Sequence, residues 1–173
     1  MRTQAIILKK IPVQEHDQLV VCYTRDVGKQ TYRAKSVMKS HSKQASHLDV
    51  LNWADFHLVS SVGYPIIASA GSVRTFHALR SHLPPLAAAH FLLDCFDKLV
   101  FEGQYDEKLW NFLTSELIAY NARATEEQAP WSYLIEKSKR RLLETLGYDT
   151  VSSLEQISGN RLHSLLFVQK VLG

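Results

Sequence analysis

Cysteine is nearly absent: Cys22 and Cys95 stand one in each half of a 173-residue chain, too few for a disulfide framework or a thiolate zinc cage. Two buried free thiols are expected. Long apolar runs are missing too. The longest, Leu86 to Phe96, is broken by His90 and Asp94 and falls short of the roughly 18 residues a membrane-crossing helix needs, so no membrane partner is expected. The opening MRTQAIILKK turns basic after a short apolar run and has no small-residue cleavage site, which is not the pattern of a secretory signal. Cytoplasm is the expected compartment. Catalytic signatures are equally scarce. There is no nucleophile elbow and no phosphate-binding glycine loop, and no two of the eight histidines sit four residues apart, the spacing that puts two imidazoles on one helical face. Glu15 and Asp17 can in principle share a metal, but beside Gln14, His16 and Gln18 they read as a solvated turn. Ser60-Ser61 and Ser152-Ser153 read as turn and cap residues. The expectation is a protein that is not an enzyme and holds no metal or other cofactor.

Acidic residues are absent over one stretch, and that absence is the most informative. Between Asp26 and Asp49 there is none, while Lys29, Arg33, Lys35, Lys39 and Lys43 fall there with Tyr32, His41 and His47 among them. An acid-free basic run bordering a strand is either a solvated loop or a stripe for a polyanion, where every cation placed on a phosphate releases counterions. Residues 1–80 carry a formal charge of +6 and residues 81–173 carry −3. The positive field therefore belongs to one half of the chain.

That half is also the one with strand patterning. Residues 2–11, 18–25, 30–37, about 50–60 and 65–76 are short β-branched or aromatic runs with period-two alternation. Asp26-Val27-Gly28-Lys29 offers a hairpin turn in which Gly28 is free to take positive φ, and Val62-Gly63-Tyr64-Pro65 is a second punctuation. Five strands with one longer connection, Met38 to His47, match a small Greek-key barrel of the OB type; an SH3-like barrel has a similar pattern. After about residue 77 the period becomes helical. Pro84-Pro85 opens a segment with Ala88, Phe91, Leu92, Cys95 and Leu99 on one face. Asp106 caps another with Leu109, Leu113, Leu117 and Tyr120, and Pro130 precedes a third with Trp131, Leu134, Ile135, Ser138, Leu142 and Leu146, stopped by Gly147. Ser152 to Gln156 resembles a capping box, and Asn160 can cap a last helix carrying Leu162, Leu165, Leu166 and Leu172. The expected fold class is α+β: an OB-type barrel over residues 1–77 followed by an all-α domain over 78–173.

Two constellations are candidates for binding. In the first half Tyr23, Tyr32, Trp53, Phe56 and Tyr64 can stack bases or fill a core; Tyr32, inside the basic run, is the candidate exposed platform. In the second half Lys137, Lys139, Arg140 and Arg141 adjoin an apolar face with Trp131 and Leu134. That is either a charged helix surface or a groove for an acidic peptide with a bulky apolar end.

Together these pieces resemble the RecO family of recombination mediators in DNA repair. Thr3-Gln4-Ala5-Ile6-Ile7-Leu8-Lys9 is similar to the family's opening strand, Glu15-x-Asp17 to the loop after it, and Tyr23-Thr24-Arg25-x-x-Gly28-Lys29 to its hairpin. Ala34-Lys35-Ser36 and Ser42-Lys43 fall where the family has Ala-Lys-Gly and a basic-Ser loop, and Leu143-x-x-Leu146-Gly147-Tyr148 resembles its Leu-Leu-Gly-Tyr helix end. The resemblance implies an OB fold that binds single- and double-stranded DNA, a helical domain, strand annealing, and RecA loading in partnership with RecR and the C-terminal tail of the single-stranded-DNA-binding protein SSB, in the bacterial cytoplasm at the nucleoid. Many relatives carry a Cys₄ zinc module after the Gly-Tyr; Asp149 to Ser158 has no cysteine, so the resemblance is to a short form and no zinc is carried over. The family glycine is Ser36 here. The expected DNA contacts are Lys9, Tyr32, Arg33, Lys35, Lys39 and Lys43, and the expected partner contacts Trp131, Lys137, Lys139, Arg140 and Arg141. A generic RNA-binding OB module and a protein-interaction adaptor are the alternatives.

Overall fold

The computed structural model describes residues 1–13, 15–39, 42–149, 156–157, 159 and 163–172. The chain divides into two compact units, Met1–Thr75 with Phe101–Tyr105, and Phe76–Val100 with Asp106–Gly173. His41, Ser152 to Glu155, Asn160 and Leu162, to which the sequence assigns loop and capping roles, lie outside the described residues.

The first unit is a closed barrel of β1 (Arg2–Pro12), β2 (Gln18–Thr24), β3 (Gly28–Ala34), β4 (Trp53–Val59) and β5 (Ile66–Arg74) in the order β1-β2-β3-β5-β4. Antiparallel ladders join every neighbouring pair except β3 and β5, which meet in parallel at Arg33 and Ile66. This order is that of the OB fold and not of the SH3-like alternative. Alternation decides what fills it: Ala5 and Ile7, Val20 and Cys22, Tyr32 and Ala34, Ala54, Phe56 and Leu58, and Ile67 form one buried interior cluster. Gly28 takes φ 71° in the β2–β3 hairpin, as its turn chemistry predicts. β3 begins two residues earlier and ends three residues earlier than the alternation alone suggests, because Ser36 turns the chain at φ 53°.

The second unit holds α1 (His77–Ser81), α2 (Leu83–Leu99), α3 (Glu107–Arg123), α4 (Trp131–Leu146) and α5 (His163–Leu172). The Asp106 carboxylate accepts from the Lys108 amide at 2.7 Å, closing the predicted N-cap of α3. Gly147, at φ 78°, ends α4, with the Tyr148 amide returning to the Leu143 carbonyl at 2.9 Å. α2 is buried beyond the one face its spacing suggests, through Ala87, Ala89, Leu93 and Phe96, because α1, α3, α4 and α5 all pack on it. Cys22 and Cys95 are buried free thiols.

Candidate nucleic-acid interface

Because Tyr32 and Ala34 point into the barrel, Lys29, Thr31 and Arg33 lie on the outer face of β3. The ladder carries that face onward. Val21 of β2 pairs with Thr31 on one side and Lys9 of β1 on the other, and Leu19 likewise joins Arg33 to Ile11. A register shift between Ile7 and Lys9 sets this pairing, so Lys9 and Arg33 occupy adjacent rows of one surface. Lys10, opposite inward-facing Val20, instead meets Asp49 at 2.8 Å.

The loop between β1 and β2 then fixes where the rest of the basic run goes. Asp17 Oδ2 accepts from Arg33 at 2.8 and 3.0 Å, while its Oδ1 accepts from the Ser36 amide at 2.8 Å. The Met38 amide bonds the His16 carbonyl at 3.1 Å. Farther along, Gln44 donates to the Ala68 carbonyl at 3.0 Å, His47 Nδ1 meets Ser72 Oγ at 2.9 Å, and Asn52 donates to the Ser46 carbonyl at 2.8 Å. The β3–β4 connection is thus pinned to the barrel at both ends. Lys35, Lys39 and Lys43 on it are exposed and make no ion pair among the described residues. Ser36 keeps the left-handed conformation that a glycine adopts without strain.

Several expected site residues are placed differently. Tyr32 is only 2% exposed and meets Phe56 edge-on at 6.2 Å, so its ring is core and not an open stacking platform. The reason is elementary: consecutive strand residues point to opposite faces, and Arg33 is the outward one. Arg33 is engaged by Asp17, so part of its charge is already answered. Glu15 and Asp17 are no metal pair, since both Asp17 oxygens are committed to protein donors. On α4, Trp131 is buried against Tyr120 at 5.6 Å and cannot anchor a peptide. Arg141 is bound to Glu116 and lies 5.3 Å from the Phe112 ring centre, and Lys139 pairs with Glu136 at 2.6 Å. Only Lys137 and Arg140 of that group are exposed without such a described partner. The sequence reading missed the Asp17 clamp, for which the acidic residue facing a basic run across a turn was the available signal.

The Asp17 carboxyl is held below the usual range, first by the Ser36 amide and then by Arg33, against opposing desolvation. A depressed carboxylate contributes stability that is complete above its unfolded pKa of about 4 and is lost as pH falls through the lower folded value. Asp17→Asn is therefore expected to lower stability at neutral pH by about 1–2 kcal/mol. Urea unfolding of both proteins should show that difference shrinking towards zero in acid; a difference that persists unchanged there would contradict the clamp.

A closed five-stranded barrel in this strand order, with Lys9 and Arg33 on its outer sheet and a pinned connection carrying exposed lysines, defines an OB-fold protein with a basic surface. A family model described as "Recombination protein O N terminal" matches residues 1–76. A DNA repair protein RecO from Roseiflexus sp. (strain RS-1) is 29% identical over 147 residues, covering 85% of this chain and 50% of that protein. Another, from Caldanaerobacter subterraneus subsp. tengcongensis, is 25% identical over 162 residues, covering 93% and 64%. Residues 1–76 thus match the N-terminal domain of the RecO family, and the similarity to RecO proteins continues through most of the chain. The chain spans about half to just under two thirds of the length of these relatives. Among the described residues no helix is long and apolar enough to cross a membrane, and no group of three or more His, Cys, Asp or Glu is placed to hold a metal ion.

Proposed function

We propose that this chain binds DNA in repair and recombination, holding phosphates on the outer face of β1–β3 and on the β3–β4 connection. The observation that carries this reading is the set of exposed lysines, Lys35, Lys39 and Lys43, on a connection that Asp17 and His16 fasten beside Lys9 and Arg33. Its chemistry is charge neutralisation. Two strands that repel one another in solution can lie side by side on a basic surface, so pairing nucleates without covalent catalysis. Lysines on a loop recognise phosphate and not base edges, hence binding with little sequence preference. Strand annealing and RecA loading with RecR are the family roles this surface suits. For an acidic SSB tail, Lys137 and Arg140 supply charge, while the buried Trp131 supplies no anchor.

Changing Lys35, Lys39 and Lys43 together to alanine is expected to weaken binding to all DNA sequences alike and to make the salt dependence shallower by about 2–3 in log–log slope. Fluorescence anisotropy at several salt concentrations measures both. Unchanged affinity and slope in a folded triple variant would sink the reading. Preference for matched RNA with no annealing of complementary DNA would favour the RNA-binding alternative, and binding to neither nucleic acid would favour the adaptor.

A further inference from the structure

The barrel wall has a gap. β3 bonds β5 only at Arg33 and Ile66, where the Arg33 amide reaches the Pro65 carbonyl at 2.9 Å. At its other end Lys29 bridges to Glu102, with the Gly103 amide on the Lys29 carbonyl at 2.8 Å. Between these attachments a cavity of about 320 Å³ opens into the barrel.

Its walls are mixed in a particular way. Val27, Leu58 and Pro65 are apolar, while Tyr32, Gln30 and Ser60 bring polar groups. The Tyr32 ring is almost fully buried, while its hydroxyl, which bonds no described residue, is open to the cavity. The Gln30 amide nitrogen donates to the Val27 carbonyl at 3.1 Å, which leaves its oxygen as an acceptor. Ser60 stands exposed at the rim, and Tyr64, one residue before Pro65, is 47% exposed. An aliphatic occupant would leave the Tyr32 hydroxyl unpaired, and a wholly polar one would leave Val27, Leu58 and Pro65 facing polar atoms. A flat ring with apolar faces and a polar edge satisfies both, and the size suits a small-molecule-sized group.

We infer that this cavity takes one unstacked base from a single DNA strand whose phosphates run over the neighbouring basic face. The inference rests on the DNA-binding reading and deepens it. Pro65, which lines the cavity, accepts from the Arg33 amide at 2.9 Å, so a base there lies at the edge of the sheet whose outer face carries Arg33 and Lys9. Duplex DNA offers no such base without unpairing one, so the cavity favours single strands.

The test compares full-length wild type, Tyr32→Phe and Ser60→Trp. Tyr32→Phe removes only the hydroxyl, and Ser60→Trp fills the mouth from an exposed turn. Each is titrated with a thymidine oligonucleotide, an abasic strand of equal length, and a duplex, after thermal melts show that both variants are folded. Both variants are expected to lose about five- to ten-fold in affinity for the thymidine strand, the scale of one hydrogen bond or one base contact. Their affinity for abasic strand and duplex stays at the wild-type value. Equal losses on all three DNAs, or wild-type affinity of both variants for the thymidine strand, would overturn the cavity and leave the DNA-binding reading standing. Wild type that binds none of the three overturns both.

Discussion

Gly28→Ala is expected to destabilise the barrel by about 3 kcal/mol or more, because two separate penalties meet at one atom. The first is conformational: Gly28 sits at φ 71°, where a side chain is strained. The second is steric, and larger. A Cβ there would stand 2.1 Å from the Gln104 carbonyl oxygen, 2.4 Å from its carbon and 2.7 Å from the Tyr105 nitrogen. These are backbone atoms, and they are held. The Gly103 amide is bonded to the Lys29 carbonyl at 2.8 Å, and the Gln104 side chain accepts from the Phe101 amide at 3.1 Å. On the other side Thr24 Oγ1 donates to the Gly28 carbonyl at 2.8 Å and accepts from the Val27 amide at 3.1 Å, so the turn cannot swing away cheaply. Gly63→Ala is the control. That residue has φ 84° but nothing within 4 Å of its Cβ, so only the conformational cost applies, about 1 kcal/mol. Urea unfolding should place the Gly28 variant well below the Gly63 variant; similar midpoints would mean that the 101–105 segment yields easily.

Positive φ at Gly28 was legible because a hairpin between two alternating runs needs it. What makes the position intolerant was not, because Gln104 lies far along the chain and no local pattern announces its approach. The same division runs through the rest of the molecule. The five strands, the ends of β3 apart, the turn glycines, the Asp106 cap and the Gly147 stop follow from short-range rules. The short α1, entered through Phe76 at φ 52°, has no such signature.

At the candidate site, alternation already held the correction for Tyr32, since it and Arg33 cannot share a face. Trp131 likewise belongs to the stripe of Ile135, Ser138 and Leu142, all buried, and its place in that stripe pointed to the core. By contrast, the ties of Arg33 to Asp17 and of Arg141 to Glu116 cross turns or join different helices. Charge counting treats such arginines as free cations, whereas the fold uses them internally.

The Arg141 tie belongs to a buried polar chain whose loss should be nearly as damaging as the Gly28 change. Tyr120 donates to Ser138 Oγ at 2.7 Å, Ser138 donates to Glu116 Oε2, and Arg141 donates to Glu116 Oε1. Burial pushes the Tyr120 phenol up, so it stays protonated and remains a donor. This explains a serine on the apolar stripe of α4: it relays a hydrogen bond from Tyr120 to a carboxylate on the same helix, α3, and so fastens α4 to α3. Glu116→Ala leaves Ser138 and Arg141 without their acceptor. Breaking a fully buried pair in this way costs about 3–5 kcal/mol, but the Arg141 side chain is 48% exposed and recovers water, so about 2–3 kcal/mol is expected. Glu116→Gln, which keeps one acceptor and the shape, should fall between wild type and alanine. A double-mutant cycle with Arg141→Ala separates the pair from the relay. If the ion pair dominates, Glu116→Ala costs little once Arg141 is gone; if the relay through Ser138 dominates, it costs nearly as much as before. A Glu116→Ala protein as stable as wild type would show that this chain does not hold α3 and α4 together.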